Sequence, residues 1–336
     1  MTALATLAKK TITNANKIAI FGHENVDGDC VGCMLWLGTI LEKLGKTVSY
    51  HTTRPVGSWL HFVPGYKKIK TTFSYSTSYD LLIFVDFTEY SRIRDLTIDH
   101  KEYFDTMPLL IIDHHIGPAP KKDCIMLKDT TTISCAELIF EYAQQRWPKL
   151  IDAQVATYLY LWLTTDSGNF MYETDSARAF KNALGLVQKG ADKKFIINNI
   201  FYNDSLKGLE FMQTTIQRIK VQHNILYTYF TEEECKKLDI DIETADQWFY
   251  AATRVKWPKL FVRFRVEKFH IKWSLRTRNT IWTNKKIIDC SAIARDLFGG
   301  GGHKPAAGFK VDLDKKKSLE TQFENIINDI HSYLNK

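Results

Sequence analysis

The sequence predicts an α/β protein: an N-terminal, mostly parallel sheet flanked by helices, followed by a smaller α+β C-terminal domain. Three observations lead there. Short apolar runs alternate with helical patterns through about residue 165, the order that βαβ units produce. Two of these runs, within 80–86 and 108–113, are apolar on both faces, as central strands of a covered parallel sheet must be. From about residue 206 the pattern changes to longer, half-polar strands rich in Lys and Arg.

Taken in order, residues 1–10 read as a helix and not as a signal peptide, because no charged region precedes their apolar part. Lys17–Gly22 is the first strand, and Val31–Leu44 repeats apolar residues at helical spacing until Gly45 stops it. Thr47–Tyr50, Asp80–Asp86 and Pro108–Asp113 are further strands, with helices at about Ser134–Arg146 and Asp152–Thr165. Leu206–Val221 looks helical; Ile225–Phe230 and Lys259–Leu275 look like strands. Over 269–276 the alternation is strict, with His270, Lys272, Ser274 and Arg276 on one face and apolar residues on the other. On that pattern Phe269, Ile271 and Trp273 belong to the core. The boundaries expected are 1–190 for a catalytic domain, 191–205 for a linker and 206–336 for a second domain.

With 336 residues, 45% of them hydrophobic, the chain exceeds what one core usually serves, so two domains are expected. No run approaches the length of a membrane span, and a cytoplasmic protein without membrane partners follows. The six cysteines show no disulfide framework. Cys30 and Cys33 form a C-x-x-C, which reads either as a redox pair or as two thiols one turn apart on a helix. The net charge of +7 is unevenly placed: residues 1–205 carry 22 basic and 22 acidic side chains, residues 206–336 carry 23 and 16. Within 254–286 eleven Lys or Arg stand against Glu267 alone, which suggests a polyanionic ligand for the C-terminal part, or else a solvated basic face.

Polar clusters lie just beyond the apolar strands: His23, Asp27 and Asp29 after the first, Asp86 at the end of the third, Asp113-His114-His115 at the end of the fourth, and Asp166 after a helix. In an open parallel sheet this edge is where ligands bind. Carboxylates gathered there are costly to desolvate and call for cations. Imidazole and carboxylate donors without an obligatory thiolate favour Mn2+, Mg2+, Fe or Zn. Two ions about 3.5–4 Å apart, sharing a carboxylate, form the usual clamp for phosphoryl displacement. Taken singly, His23, Asp86 and Asp166 each fit an ordinary buried histidine, a helix cap or a turn; the set in this order does not.

These blocks resemble the four motifs of the DHH phosphoesterase superfamily: His23 to Asp29, Val85-Asp86, Asp113-His114-His115 and Thr165-Asp166-Ser167-Gly168. Gly299–Gly302 with His303, and Ser274-Leu275-Arg276, are similar to elements of the DHH-associated C-terminal domain. Val26 stands where a Pro is usual, which alters a turn preference and removes no ligand. The resemblance is to the branch of bacterial nano-RNases, and it implies an active site in the cleft between the domains. It implies two divalent cations, most often Mn2+, with His23 and Asp27 on one, Asp29, His114 and Asp166 on the other, and Asp86 bridging. It implies His115 as the residue that stabilises developing charge or protonates the leaving group, with Asp113 orienting a ligand imidazole. Arg276, Ser274, Gly300, Gly301, Gly302 and His303 are implied to bind substrate. The expected activity is hydrolysis of short oligoribonucleotides to 5′-mononucleotides, with dephosphorylation of 3′-phosphoadenosine 5′-phosphate. Alternatives are a cyclic-di-AMP or pApA phosphodiesterase, a pyrophosphatase or exopolyphosphatase, and a nucleotide-binding module without turnover. A homodimer is compatible with this, but no residue pattern selects it.

Overall fold

The computed structural model describes residues 2–24, 26–115, 117–171, 176–240, 242, 245, 255–277 and 288–335. Two compact units divide it, Met1–Asn203 and Asp204–Lys336.

The first unit is built on six strands: β1 (Lys17–Phe21), β2 (Thr47–His51), β3 (Ile69–Lys70), β4 (Leu81–Val85), β5 (Leu109–Asp113) and β6 (Cys124–Lys128). Their order is β3-β2-β1-β4-β5-β6 and every pairing is parallel. Alternate side chains feed two cores. Ile18, Ile20, Ile83, Val85, Leu110 and Ile112 pack under α1 (Thr2–Asn14), α2 (Gly28–Lys43), α5 (Cys135–Arg146) and α6 (Ala153–Asp166). Phe21, Leu82, Phe84 and Ile111 face the opposite layer, where Leu96 of α3 (Arg94–Thr97) and Phe104 of α4 (Lys101–Thr106) cover them. Both faces are therefore dry, which is why β4 and β5 are apolar throughout. β3 and β6 carry weaker signals: β3 has two residues, and β6 is half-buried at the sheet edge.

Strand order reverses between β1 and β4, so the loops leaving their C-terminal ends diverge and open a crevice there. The segment 191–205, expected to be a linker, instead contains α8 (Lys193–Phe201). Asp192 caps that helix by accepting from Phe195 N at 2.9 Å, and Ile196 is buried in the first core; α7 (Ser176–Gln188) precedes it.

In the second unit a mixed sheet runs β11-β12-β10-β9-β8-β7. Its strands are β7 (Lys220–Gln222), β8 (Ile225–Thr231), β9 (Leu260–Val266), β10 (His270–Thr277), β11 (Gly301–His303) and β12 (Ala306–Asp312). β8 and β9 are parallel and the remaining pairs antiparallel. One face packs on α11 (Cys290–Phe298) and α12 (Leu319–Leu334); on the other, Phe230 meets Phe211 of α9 (Leu206–Gln217) and Cys235 of α10 (Glu232–Leu238). The helix expected over 206–221 ends at Gln217, because Lys220–Gln222 pairs with β8 as a strand. Ile271 and Trp273 are core residues, whereas Phe269 is 55% exposed, since it sits in the turn before β10 begins.

Candidate active site

The first helix after β1 starts inside the site. Asp27 is the N-cap of α2, its Oδ1 accepting from Cys30 N at 3.0 Å, which leaves Oδ2 to turn toward His23 Nε2, 3.7 Å away. Asp29, one residue into the helix, is fully buried and reaches across to the next crossover. Its Oδ2 accepts from Cys135 N at 2.7 Å and its Oδ1 from Ala136 N at 3.1 Å, so the N-terminus of α5 holds both oxygens. Cys33 donates its thiol to the same Oδ1 at 3.3 Å.

Asp86, directly after β4, sits at the centre. Its backbone is left-handed, with φ 68°, a conformation that costs most residues and is tolerated by Asp. Oδ2 accepts from His23 Nε2 at 3.0 Å. Oδ1 is buried and accepts no hydrogen bond among the described residues, while His114 Nε2 and His115 Nδ1 stand 3.4 and 3.6 Å from it. His114 is fixed from behind by the Thr132 carbonyl, which accepts from Nδ1 at 3.3 Å. Asp113 Oδ1 accepts from His115 Nδ1 at 2.8 Å. The acid of the Asp-His-His run therefore orients His115, the proposed proton carrier, and a main-chain carbonyl orients His114. Asp166, the last residue of α6, completes a group with Asp29 and His114.

Three sets of side chains place their donor atoms within 4.8 Å of one another: His23-Asp27-Asp86, Asp29-His114-Asp166 and Asp86-His114-His115. Asp86 belongs to two of them, as does His114. Such crowding is electrostatically unfavourable without cations, and the titration directions say so. Burial, then the Asp86 charge, push Asp29 up to about 8. Desolvation and the charges of Asp29, Asp27 and Asp86 push Asp166 well above the carboxylate range. Asp86 goes the other way: burial would raise it, but the adjacent His114 and His23 imidazoles outweigh that and hold it well below. Burial likewise works to lower His114, yet Asp86 and Asp29 raise it to about 9. The donors are nitrogen and oxygen only, the buried Asp86 Oδ1 accepts no hydrogen bond among the described residues, and carboxylates crowd on both sides of it. The residues fit hard or borderline divalent cations.

Other site expectations lie in the second unit. Ser274 and Arg276 share the polar face of β10; Arg263 Nη2 donates to Ser274 Oγ at 2.8 Å, and Arg276 Nη1 donates to the Leu275 carbonyl at 2.8 Å. The glycine run divides. Gly299 ends α11 in a left-handed turn, φ 65°. A Cβ on Gly300 would strike Phe309 and the Gly308 carbonyl, and one on Gly302 would strike the Ala306 carbonyl and Ala307. Their smallness serves the β11–β12 hairpin. Of the three glycines expected to bind substrate, Gly301 alone would carry a Cβ into open space. The backbone of His303 pairs with Ala306, and its side chain lies outside what is described.

Sequence reasoning missed Thr132 and the two α5 amides. Ser134-Cys135-Ala136-Glu137 carries an S-x-x-E helix-start signal, and Ser134 Oγ does accept from Glu137 N at 3.1 Å. Nothing local says that this helix end meets Asp29. Cys30 and Cys33 are buried on α2, both pushed well up by burial, which removes thiolate character from the pair.

A parallel sheet with this acid-histidine cluster at its switch point defines a phosphoesterase-type site. Residues 17–161, within the first unit, match the DHH family, N-terminal domain, and the chain is a phosphoesterase hydrolase. The chain is 27% identical over 322 residues to the bifunctional oligoribonuclease and PAP phosphatase NrnA of Mycoplasma genitalium, covering 93% of this chain and 94% of that one. It is 22% identical over 307 residues to the NrnA of Bacillus subtilis, covering 90% and 91%. Among solved structures, an exopolyphosphatase-related protein from Bacteroides fragilis superposes with a TM-score of 0.83 at 23% identity, over 100% of this chain and 98% of that one. At that identity the likeness speaks for the fold and not for the reaction.

Proposed function

We propose that this chain is a two-cation phosphodiesterase that hydrolyses short oligoribonucleotides to 5′-mononucleotides and also dephosphorylates 3′-phosphoadenosine 5′-phosphate, with Mn2+ as its working ion. The observation that carries the reading is Asp86, which shares in two donor groups and keeps a buried oxygen without a hydrogen bond. The names of the relatives supply the substrate class.

His23 and Asp27 would hold one ion, Asp29, His114 and Asp166 the other, and Asp86 both. When bound, the pair would neutralise phosphoryl charge and lower the pKa of the attacking water. The remaining work falls to the chain. Asp113, accepting from His115 Nδ1, aims the ring, so that Nε2 delivers a proton to the departing ribose oxygen. Burial of His23, Asp29 and Asp86 excludes water from the inner side of the cluster. In the second unit, Arg276 and Ser274 are assigned to substrate phosphates, with Gly301 and His303 beside them. A cytoplasmic location is part of this proposal.

The test is a panel of pApA, longer oligoribonucleotides, 3′-phosphoadenosine 5′-phosphate, cyclic di-AMP and pyrophosphate, each with Mn2+. Release of 5′-AMP from pApA is expected, and its loss in Asp86→Ala. Binding of pApA without product would sink the enzymatic reading. Turnover of cyclic di-AMP or pyrophosphate alone would sink the substrate assignment.

A further inference from the structure

Between β6 and α5 lies the turn Asp129–Ser134, which supports two of the proposed ligands from outside. Its Thr132 carbonyl accepts from His114 Nδ1 at 3.3 Å, and the helix it leads into offers Cys135 N and Ala136 N to Asp29 at 2.7 and 3.1 Å. The turn is braced internally by Asp129, whose Oδ1 accepts from Thr131 N at 3.0 Å and Thr131 Oγ1 at 2.6 Å. What ties it to the body of α5 comes from α7.

Arg178 of α7 is half-buried and uses its guanidinium on both parts at once. Nε donates to Glu141 Oε1 at 2.8 Å and Nη2 to Glu141 Oε2 at 2.6 Å, a two-pronged grip on α5. Nη2 also reaches Asp129 Oδ2 at 3.3 Å, and Nη1 donates to Thr131 Oγ1 at 3.2 Å. One turn on, Asn182 donates to Glu137 Oε1 at 2.8 Å, and Oε2 of that buried Glu137 accepts from Ile133 N at 3.1 Å. A contact with Glu141 alone would be an ordinary bridge between helices. The second half of the fork, on Asp129 and Thr131, sets where Thr132 and the first amides of α5 stand.

We propose that Arg178 is a positioning residue for the Asp29–His114 half of the cation site, holding the turn that orients His114 and the helix end that holds Asp29. The inference rests on the reading of that cluster as a cation site. Partners of ligands that are removed typically cost about 10–100-fold in metal affinity. A lysine keeps the charge but loses the planar fork, so it restores the grip only in part.

The experiment strips the full chain with a chelator and titrates Mn2+, following loss of the free-ion electron paramagnetic resonance signal, with Tm measured in parallel. Arg178→Gln is expected to weaken Mn2+ binding about tenfold or more, with Arg178→Lys intermediate. Thr131→Val, which leaves Arg178 on Glu141, is expected to weaken it several-fold and decides the matter alone if Arg178→Gln does not fold. Arg218→Gln removes the Arg218–Glu234 pair of the second unit and should bind Mn2+ as wild type does. Wild-type affinity in both Arg178→Gln and Thr131→Val, whatever their Tm, overturns the inference and leaves the cation site standing. Failure of the wild-type chain to bind Mn2+ overturns the cation site, and the inference with it.

Discussion

Asp86 pays a conformational cost of about 1–2 kcal/mol for its left-handed backbone and recovers it by placing a carboxylate where His23, His114 and His115 converge. Asn tolerates the same backbone, so Asp86→Asn should fold, yet lose Mn2+ affinity and pApA hydrolysis by more than about a hundredfold, as calorimetry and product assay would show. Asp166 offers a different test. Its carboxyl is pushed upward by burial and by Asp29, Asp27 and Asp86, which means the metal-free fold disfavours its ionised form. Asp166→Asn should therefore raise the Tm of the metal-free protein and abolish part of the rise that Mn2+ gives the wild type. A lower Tm in the variant without metal would show that Asp166 is paired in a way that offsets this repulsion.

At the scale of elements, two helix N-termini and one helix pair set the spacing of the ligands. Asp27 caps α2 and Asp29 is held by α5, so the positive ends of both helices face the carboxylate cluster. α2 and α6 cross in close contact because Gly32 has no side chain: a Cβ there would fall inside the Trp162 ring. Asp29 lies in the first turn of α2 and Asp166 ends α6, so this crossing fixes the distance between two proposed ligands. Gly32→Ala should cost about 1–3 kcal/mol through overpacking and weaken Mn2+ binding as well, read by denaturant unfolding and metal titration of one preparation. Loss of stability with wild-type affinity would uncouple the crossing from the site.

For the whole molecule, the charge census divides the labour. The excess of basic residues lies after residue 205, while the acid-histidine cluster lies wholly before residue 167. Arg276→Ala should raise KM for pApA about tenfold and leave Mn2+ affinity unchanged, with a weaker dependence of KM on salt than wild type. An unchanged KM would remove Arg276 from substrate binding. Much of this was legible in sequence. Runs such as Leu81–Val85 can only be strands covered on both faces, and motifs at their ends must then share one edge of the sheet. Local pattern also placed the helices near 134 and 152 within a residue or two of their observed starts, where Ser134 and Asp152 act as caps. It could not separate Gly301 from Gly300 and Gly302, because only the opposing β12 backbone shows which glycines lack room for a side chain. It missed the helix over 193–201, whose short apolar stripe becomes informative only once Ile196 is seen to be buried.

The sequence by itself determined the parallel sheet and the residues His23, Asp27, Asp29, Asp86, His114 and Asp166 as one candidate set, since residue type, order and strand-end position are all properties of the chain. The tertiary structure alone decided who holds whom: Asp113 orients His115, Thr132 orients His114, α5 holds Asp29, and Arg178 ties their turn to the helix. Apart from Asp113, which is two residues from His115, those partners are main-chain groups or residues distant in sequence. Amides and carbonyls are the same in every residue, so only folding can show which of them meets a ligand.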